Sequence, residues 1–320
     1  MAGTLKDTDT VKGARPSPVL PASRAIRESV PHILERLGIA ADALVNDSRK
    51  AVPGTVFAAY PGETRDGRDF IAQAVAQRVD GVLWEADHYQ WDPALGVPNA
   101  GVAGLKTRIG EIASHIYGEP SRALHMVGVT GTNGKTSVAH WVAQAFSQLG
   151  RKTAVIGTVG NGFPPVGGQP GALTPALNTT PDAVELQQRL ALYRQQGAVG
   201  CAMEVSSHGL AQGRINGTRL NVAVLTNLSR DHLDYHGDMG SYADAKARLF
   251  NWQAKRGRRA SPAMDSSAAP WWEKNCACRK PACTCTCTPT GAMPNSTCRC
   301  WAASTPPTCW PCLPPCWYRR

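Results

Sequence analysis

The sequence predicts an α/β protein. A small N-terminal α/β domain precedes a P-loop parallel-sheet domain that stops short, and a tail without regular fold follows. Three observations predict this. An apolar strand, Met126 to Val129, runs into a loop holding Gly128, Gly131, Gly134, Lys135 and Thr136, and a helix-like run from Ser137 to Leu149 follows. Short apolar runs alternate with helical patterns on both sides of that loop. Near Gln253 the composition changes abruptly.

At 320 residues the chain has room for two or three domains. Its net charge of +10 suggests nucleic acid until the charges are located. Residues 253–320 hold ten Lys/Arg and two Asp/Glu, a balance of +8, which leaves +2 for residues 1–252. The body is near neutral and gives no electrostatic reason to expect DNA or RNA. No apolar run approaches the roughly 18–20 residues that span a bilayer, and no basic start precedes an apolar core, so the body reads as cytoplasmic.

Residues 1–20 are polar and Pro-rich, a loose arm. The first domain is placed at 21–122. It begins with a helix from Ile26 to Leu37, a polar turn at Asp47-Ser48-Arg49 and a strand within Val52–Tyr60. A loop from Gly62 to Arg68, a helix from Phe70 to Arg78 and a strand from Asp80 to Trp84 complete the alternation. The second domain is placed at 123–252. After the glycine loop come a strand from Thr153 to Gly157 and a Gly/Pro-rich loop from Asn161 to Pro175. Pro181 is expected to open a helix over Asp182–Gln196, with Thr180 as its cap. Gly200–Val205 and Val222–Leu228 read as buried parallel strands, and Ser241–Phe250 as a helix. Ligands of such a sheet sit at the carboxyl ends of its strands.

The glycine loop has the layout of a phosphate cradle. Backbone N–H groups of Gly131, Thr132, Asn133 and Gly134 and of the helix start (Lys135, Thr136, Ser137) would turn on phosphate oxygens. Lys135 reaches the β/γ-phosphates, and the Thr136 hydroxyl is a candidate Mg2+ ligand. Val129 stands where the general pattern has its first glycine, so this is a variant loop. Glu204, at the carboxyl end of its strand, can hold Mg2+ directly or through water, although a strand-end carboxylate can also simply face solvent. Asp231-His232-Leu-Asp234-Tyr-His236 offers three or four further ligands in one turn. The set is richer than ATP hydrolysis needs and suits joining an amine to a carboxylate, which requires an activated acyl group and screening of several anions.

These residues resemble the Mur ligases, ATP-dependent enzymes that add amino acids to the cytoplasmic peptidoglycan precursor. The resemblance is strongest to those that add the third residue to UDP-N-acetylmuramoyl-L-alanyl-D-glutamate. It runs from about Val45 to Phe250. Its motifs are Asp47-Ser-Arg49, Gly128 to Thr136, Gly157-Thr-Val-Gly-Asn161, Asn178-Thr-Thr180, Met203 to Leu210, Thr226 to Gly237, and Tyr242 with Ala245-Lys246. The resemblance implies that Ser48, Glu63, Thr64 and Arg65 hold the uridine nucleotide. It implies that Asn178, Thr179, Thr180, Ser206, Gln212 and Arg214 hold the muramoyl-dipeptide. Thr136, Glu204 and His232 would serve Mg2+, joined by Lys246 as a carbamylated metal ligand; without the resemblance Lys246 would read as a solvated helix lysine. Lys135, Glu204, His232 and Lys246 are thus the expected catalytic set, ATP and Mg2+ the expected cofactors, and a diamino acid, with meso-diaminopimelate favoured, the second substrate.

The segment 253–320 breaks the pattern. Between Ser261 and Arg320 only Leu313 is a branched aliphatic residue, while ten of the eleven cysteines and five tryptophans fall there. Such a segment buries too little aliphatic surface to offset its chain entropy. A metal-binding or disulfide-stapled tail, a disordered linker and a product of a lost reading frame near Trp252 are three readings, and the composition favours the third. The Asp-Asn-Pro-Arg sequence that the resemblance leads one to expect farther on is absent from residues 1–320. The expectation is therefore a ligase by descent whose present chain does not complete the reaction; the alternative is a non-catalytic fragment that binds nucleotide or UDP-precursor.

Overall fold

The structure, a computed structural model, describes residues 28–254. The N-terminal arm and the Cys-rich tail beyond Ala254 lie outside the described residues, and so do all cysteines but Cys201. The chain forms two parallel-sheet layers, as the alternation predicts.

The first sheet has the order β1-β2-β3-β4, all parallel: β1 (Ala43–Val45), β2 (Thr55–Ala59), β3 (Gly81–Glu85) and β4 (Asn99–Val102). Its two faces alternate along each strand. Leu44, Val56, Ala58, Leu83 and Val102 pack on α1 (Val30–Leu37) and α3 (Leu105–Ile116). Phe57, Ala59 and Val82 pack on α2 (Ile71–Ala76). Sequence patterning missed β1, β4 and α3, the strands because runs of three and four residues show too little alternation. Helix α1 starts at Val30 rather than Ile26, because the Ser29 hydroxyl accepts the His32 N–H at 3.3 Å and sets the helix start.

A short helix, α4 (Pro120–Ala123), leads into the second sheet. That sheet has the order β10-β5-β9-β6-β7-β8. Its parallel part is β10 (Val222–Leu225), β5 (His125–Thr130), β9 (Gly200–Glu204) and β6 (Thr153–Gly157). Period-two alternation again covers both faces. Met126, Ala154, Ile156, Cys201 and Met203 face α6 (Ala183–Gln195) and α9 (Met239–Ala254), whereas Val127, Val129, Val155 and Ala202 face α5 (Lys135–Gln148).

Two expectations need correction. Asn161–Pro175 is not all loop: β7 (Gly160–Phe163) and β8 (Ala172–Thr174) form an antiparallel extension. The strand is hidden in the sequence because Gly160 and Gly162 take φ of +153° and +145°, which side-chain-bearing residues avoid, and a Cβ on Gly162 would strike the Ala172 carbonyl. The cap of α6 is Asp182 rather than Thr180. Its Oδ1 accepts the N–H groups of Val184 at 2.9 Å and Glu185 at 3.0 Å, and Pro181 lies outside the helix.

Asp182 also ties the two layers together, because Asn46 Nδ2 donates to its Oδ1 at 3.3 Å and to the Tyr60 hydroxyl at 3.1 Å. Ala183 and Val184 enter the core of the first sheet. Asp182→Ala is expected to cost about 1 kcal/mol as a lost cap, lowering the thermal midpoint by about 2–4 °C in a unit of this size; an unchanged melting curve would contradict the capping role.

Candidate functional site

The register Val129↔Glu204 in the β5–β9 pair brings a carboxylate beside the start of the glycine loop. Thr130 ends β5, and the loop turns at Gly131, whose φ of +143° and contact with Thr226 leave no space for a Cβ. Gly134, also at positive φ, delivers the chain into α5. The segment after β10 braces the loop from outside. Thr226 Oγ1 donates to the Asn133 carbonyl at 2.6 Å, Asn227 Oδ1 accepts the Asn133 N–H at 3.0 Å, and the Thr132 hydroxyl sits 3.1 Å from that of Tyr242. Ser137 follows in the first, exposed turn of α5.

Two lysines converge on one carbonyl. Lys135 Nζ donates to Gly131 O at 3.0 Å and to Thr132 O at 2.9 Å, while Lys246 Nζ donates to the same Gly131 O at 2.8 Å. Burial lowers the pKa of Lys135, against the opposing pull of Glu204 and Asp231. Lys246, only 3% exposed and 4.4 Å from the Tyr242 ring centroid, is pushed down to about 8, first by desolvation and then by the Lys135 charge. A solvated helix lysine this is not.

Glu204 is 1% exposed. Its carboxylate accepts the Thr158 N–H at 2.8 Å on Oε1 and the Thr136 hydroxyl at 3.0 Å on Oε2. Gly157 makes room for it: a Cβ there would overlap the carboxylate. Sequence reasoning gave no role to Gly157 or Thr158, although both sit in a quoted motif; no local pattern says which side chain a glycine yields to. A hydroxyl beside a carboxylate is a hard-oxygen pair that suits Mg2+, which retains most of its waters.

The Asp231–His236 turn behaves differently from its sequence reading. Among the described residues no group of three or more His, Cys, Asp and Glu is assembled to hold a metal. His232 takes a left-handed φ of +52° at the start of the single turn α8 (Leu233–His236). Its ring stands 4.9 Å from that of His208, on α7 (Ser207–Ala211), and 6.1 Å from Tyr242. Desolvation, then neighbouring histidines, lowers the pKa of both His208 and His236, so these rings favour the neutral form.

The residues expected to face the acceptor are only partly gathered. Thr180 Oγ1 donates to the Glu204 carbonyl at 3.0 Å and accepts the Ser206 N–H at 3.0 Å. Arg214 donates to Thr180 O at 2.8 Å and to Gln212 Oε1 at 2.8 Å. Thr179 Oγ1 lies 3.0 Å from the Thr158 hydroxyl, and Asn178 is exposed. In the first layer Glu63, Thr64 and Arg65 form an exposed turn closed by Gly62 N–H to Arg65 O at 2.8 Å, with Glu63 paired to Lys106. Ser48 is buried, and its hydroxyl is bonded to Gln73 at 3.2 Å.

With this geometry in place, residues 129–284 match the Mur ligase middle domain. The chain is 54% identical over 221 residues to the UDP-N-acetylmuramoyl-L-alanyl-D-glutamate–2,6-diaminopimelate ligase of Nitrosomonas europaea, covering 69% of this chain and 41% of that protein. To the ligase of the same name from Chromobacterium violaceum it is 53% identical over 224 residues, covering 70% and 44%. A solved structure of a ligase with that name superimposes with a TM-score of 0.56 at 38% identity, over 67% of this chain and 42% of the other. The chain thus spans less than half the length of the relatives it matches. No helix among the described residues is long and apolar enough to cross a membrane.

The depressed Lys246 pKa has a direct readout. A neutral amine attacks acetic anhydride and expels acetate, so acetylation of Lys246, followed by peptide mass mapping, should reach half its plateau rate near pH 8. Surface lysines should keep rising toward a pH of about 10.4. A Lys246 profile parallel to theirs would refute the shift.

Proposed function

We propose that this chain, which belongs to the Mur ligase family, derives from an ATP-dependent ligase that joins meso-diaminopimelate to UDP-MurNAc-L-Ala-D-Glu in peptidoglycan precursor synthesis. The observation that carries the reading is the convergence of Lys135, Lys246 and the Thr136–Glu204 pair at one loop, with Thr180 bonded to the Glu204 carbonyl and Thr179 to the neighbouring Thr158.

In this reading the loop N–H groups and Lys135 hold the β- and γ-phosphates of ATP, and Lys135 leaves its loop carbonyls to do so. The D-Glu γ-carboxylate attacks the γ-phosphorus, ADP departs, and an acyl phosphate results. The diaminopimelate amine then attacks the acyl carbon and phosphate leaves. Mg2+, held through Thr136 and Glu204, with His232 nearby, would supply charge screening between these anions. Lys246 as an ammonium is no metal ligand. Its depressed pKa supplies the neutral amine that carbamylation requires, and the carbamate would place a negative oxygen donor beside Gly131. Asn178, Thr179, Thr180, Ser206, Gln212 and Arg214 suit a polar, anionic peptide. The exposed turn Glu63–Arg65 and the neighbourhood of Ser48 are assigned to the uridine nucleotide.

A second reading is binding of nucleotide or UDP-precursor without turnover, for which a phosphate loop by itself suffices. Calorimetry with MgATP and with UDP-MurNAc-L-Ala-D-Glu should show both bind. Phosphate release that depends on added meso-diaminopimelate supports the ligase, and binding alone supports the second reading. Lys135→Ala should weaken MgATP by about 10- to 100-fold, the worth of a charged hydrogen bond of about 1.5–3 kcal/mol. Undiminished affinity would sink the phosphate-loop assignment.

A further inference from the structure

The turn between β6 and β7 carries a hydroxyl to which neither the phosphate loop nor the acceptor loop lays sole claim. Thr158 follows Gly157, whose missing side chain opens the space that the Glu204 carboxylate fills. Its backbone N–H holds Oε1 of Glu204 at 2.8 Å, and its Oγ1 lies 3.4 Å from Oε2. The same Oγ1 lies 3.0 Å from Thr179 Oγ1, in the loop that precedes α6. Thr158 is therefore the one described residue whose hydroxyl lies within hydrogen-bond reach of both the Glu204 carboxylate and a hydroxyl of the Asn178–Thr180 loop; its single proton serves the carboxylate when the Thr179 hydroxyl donates to it.

We propose that Thr158 is a positioning residue that couples the two ligand sites: whatever orders Thr179 also orders the carboxylate that faces the metal–nucleotide. The inference rests on the reading above, in which Glu204 serves Mg2+ and Thr179 faces the muramoyl-dipeptide. The physical basis is shared ordering. Thr158 is exposed and Thr179 half-exposed, so in the free protein water competes for both hydroxyls. A polar acceptor that fixes Thr179 removes that freedom from the Thr158 side chain, and Thr158 then restrains both oxygens of Glu204. The second ligand meets a carboxylate already in place, which gives positive cooperativity without a change of fold. Linkage makes the effect reciprocal. Thr180 is not an equivalent route, because it bonds the Glu204 carbonyl and not its carboxylate.

The test is a coupling measurement on the full chain. The MgATP dissociation constant is measured by calorimetry with and without saturating UDP-MurNAc-L-Ala-D-Glu, and the converse titration checks reciprocity. The unsubstituted chain should show tightening of about fivefold or more, the lower end of ordinary allosteric coupling. Thr158→Val keeps the backbone N–H contact and side-chain volume but removes the hydroxyl, and its coupling should fall to about one. Thr158→Ser should restore it. Equal melting curves for the three proteins identify the effect as local. Wild-type coupling retained in Thr158→Val, or two ligands binding the unsubstituted chain without coupling, overturns the inference while leaving the ligase reading intact. If the unsubstituted chain binds neither ligand, the ligase reading falls and this inference falls with it.

Discussion

A carboxylate buried to 1% exposure at the end of a central strand has to be surrounded by donors, and the neighbourhood of Glu204 is arranged around that demand. Unpaired, the group would cost several kcal/mol to desolvate. The Thr158 N–H and the Thr136 hydroxyl meet its two oxygens, and Gly157 yields the space. The two donors belong to different segments, the β6–β7 turn and the first turn of α5, and the acceptor to β9. One charge therefore sets the relative positions of three elements, and the same carboxylate lies where a hydrated cation would need oxygen ligands.

The positive side of the site follows a related logic. The Gly131 carbonyl accepts from both Lys135 and Lys246, which brings two ammonium groups to one oxygen in a partly dry place. Desolvation, and then repulsion from Lys135, leave Lys246 with a pKa of about 8. An anion entering the loop would relieve that repulsion. The bracing of Asn133 by Thr226 and Asn227 holds the loop backbone in place.

The two sheets meet through small residues and a shared cap. Gly110 on α3 lies against the Asn216 carbonyl so closely that a Cβ would collide with it, and Asp182 accepts both the N-terminus of α6 and the side chain of Asn46. Asn46 immediately precedes the Asp47-Ser48-Arg49 turn, and Asp182 follows the Asn178–Thr180 loop by two residues. The join between the layers thus lies next to both segments assigned to the UDP-precursor.

Much of this was legible in the sequence alone. Strand, glycine loop, Lys135, Thr136 and helix α5 are contiguous, so local spacing places them together at one strand end, although Asn227 takes the N–H groups of Thr132 and Asn133. Glu204 ends an unbroken apolar run, and its place at the carboxyl edge of a parallel sheet followed from that run. What the sequence could not express are contacts between distant segments. The gap that Gly157 leaves for Glu204 and the sharing of Gly131 O by Lys135 and Lys246 both depend on strand register and helix packing. The same is true of the Asp182 cap in place of Thr180 and of the edge-on contact of His232 with His208. The strand β7 was hidden for a local reason, since its glycines adopt positive φ that reads as loop. Composition and periodicity determined most of the longer elements and the place of the glycine loop at a strand end. Only the tertiary structure decided which charges are buried together, because burial and pairing are set by neighbours far away along the chain.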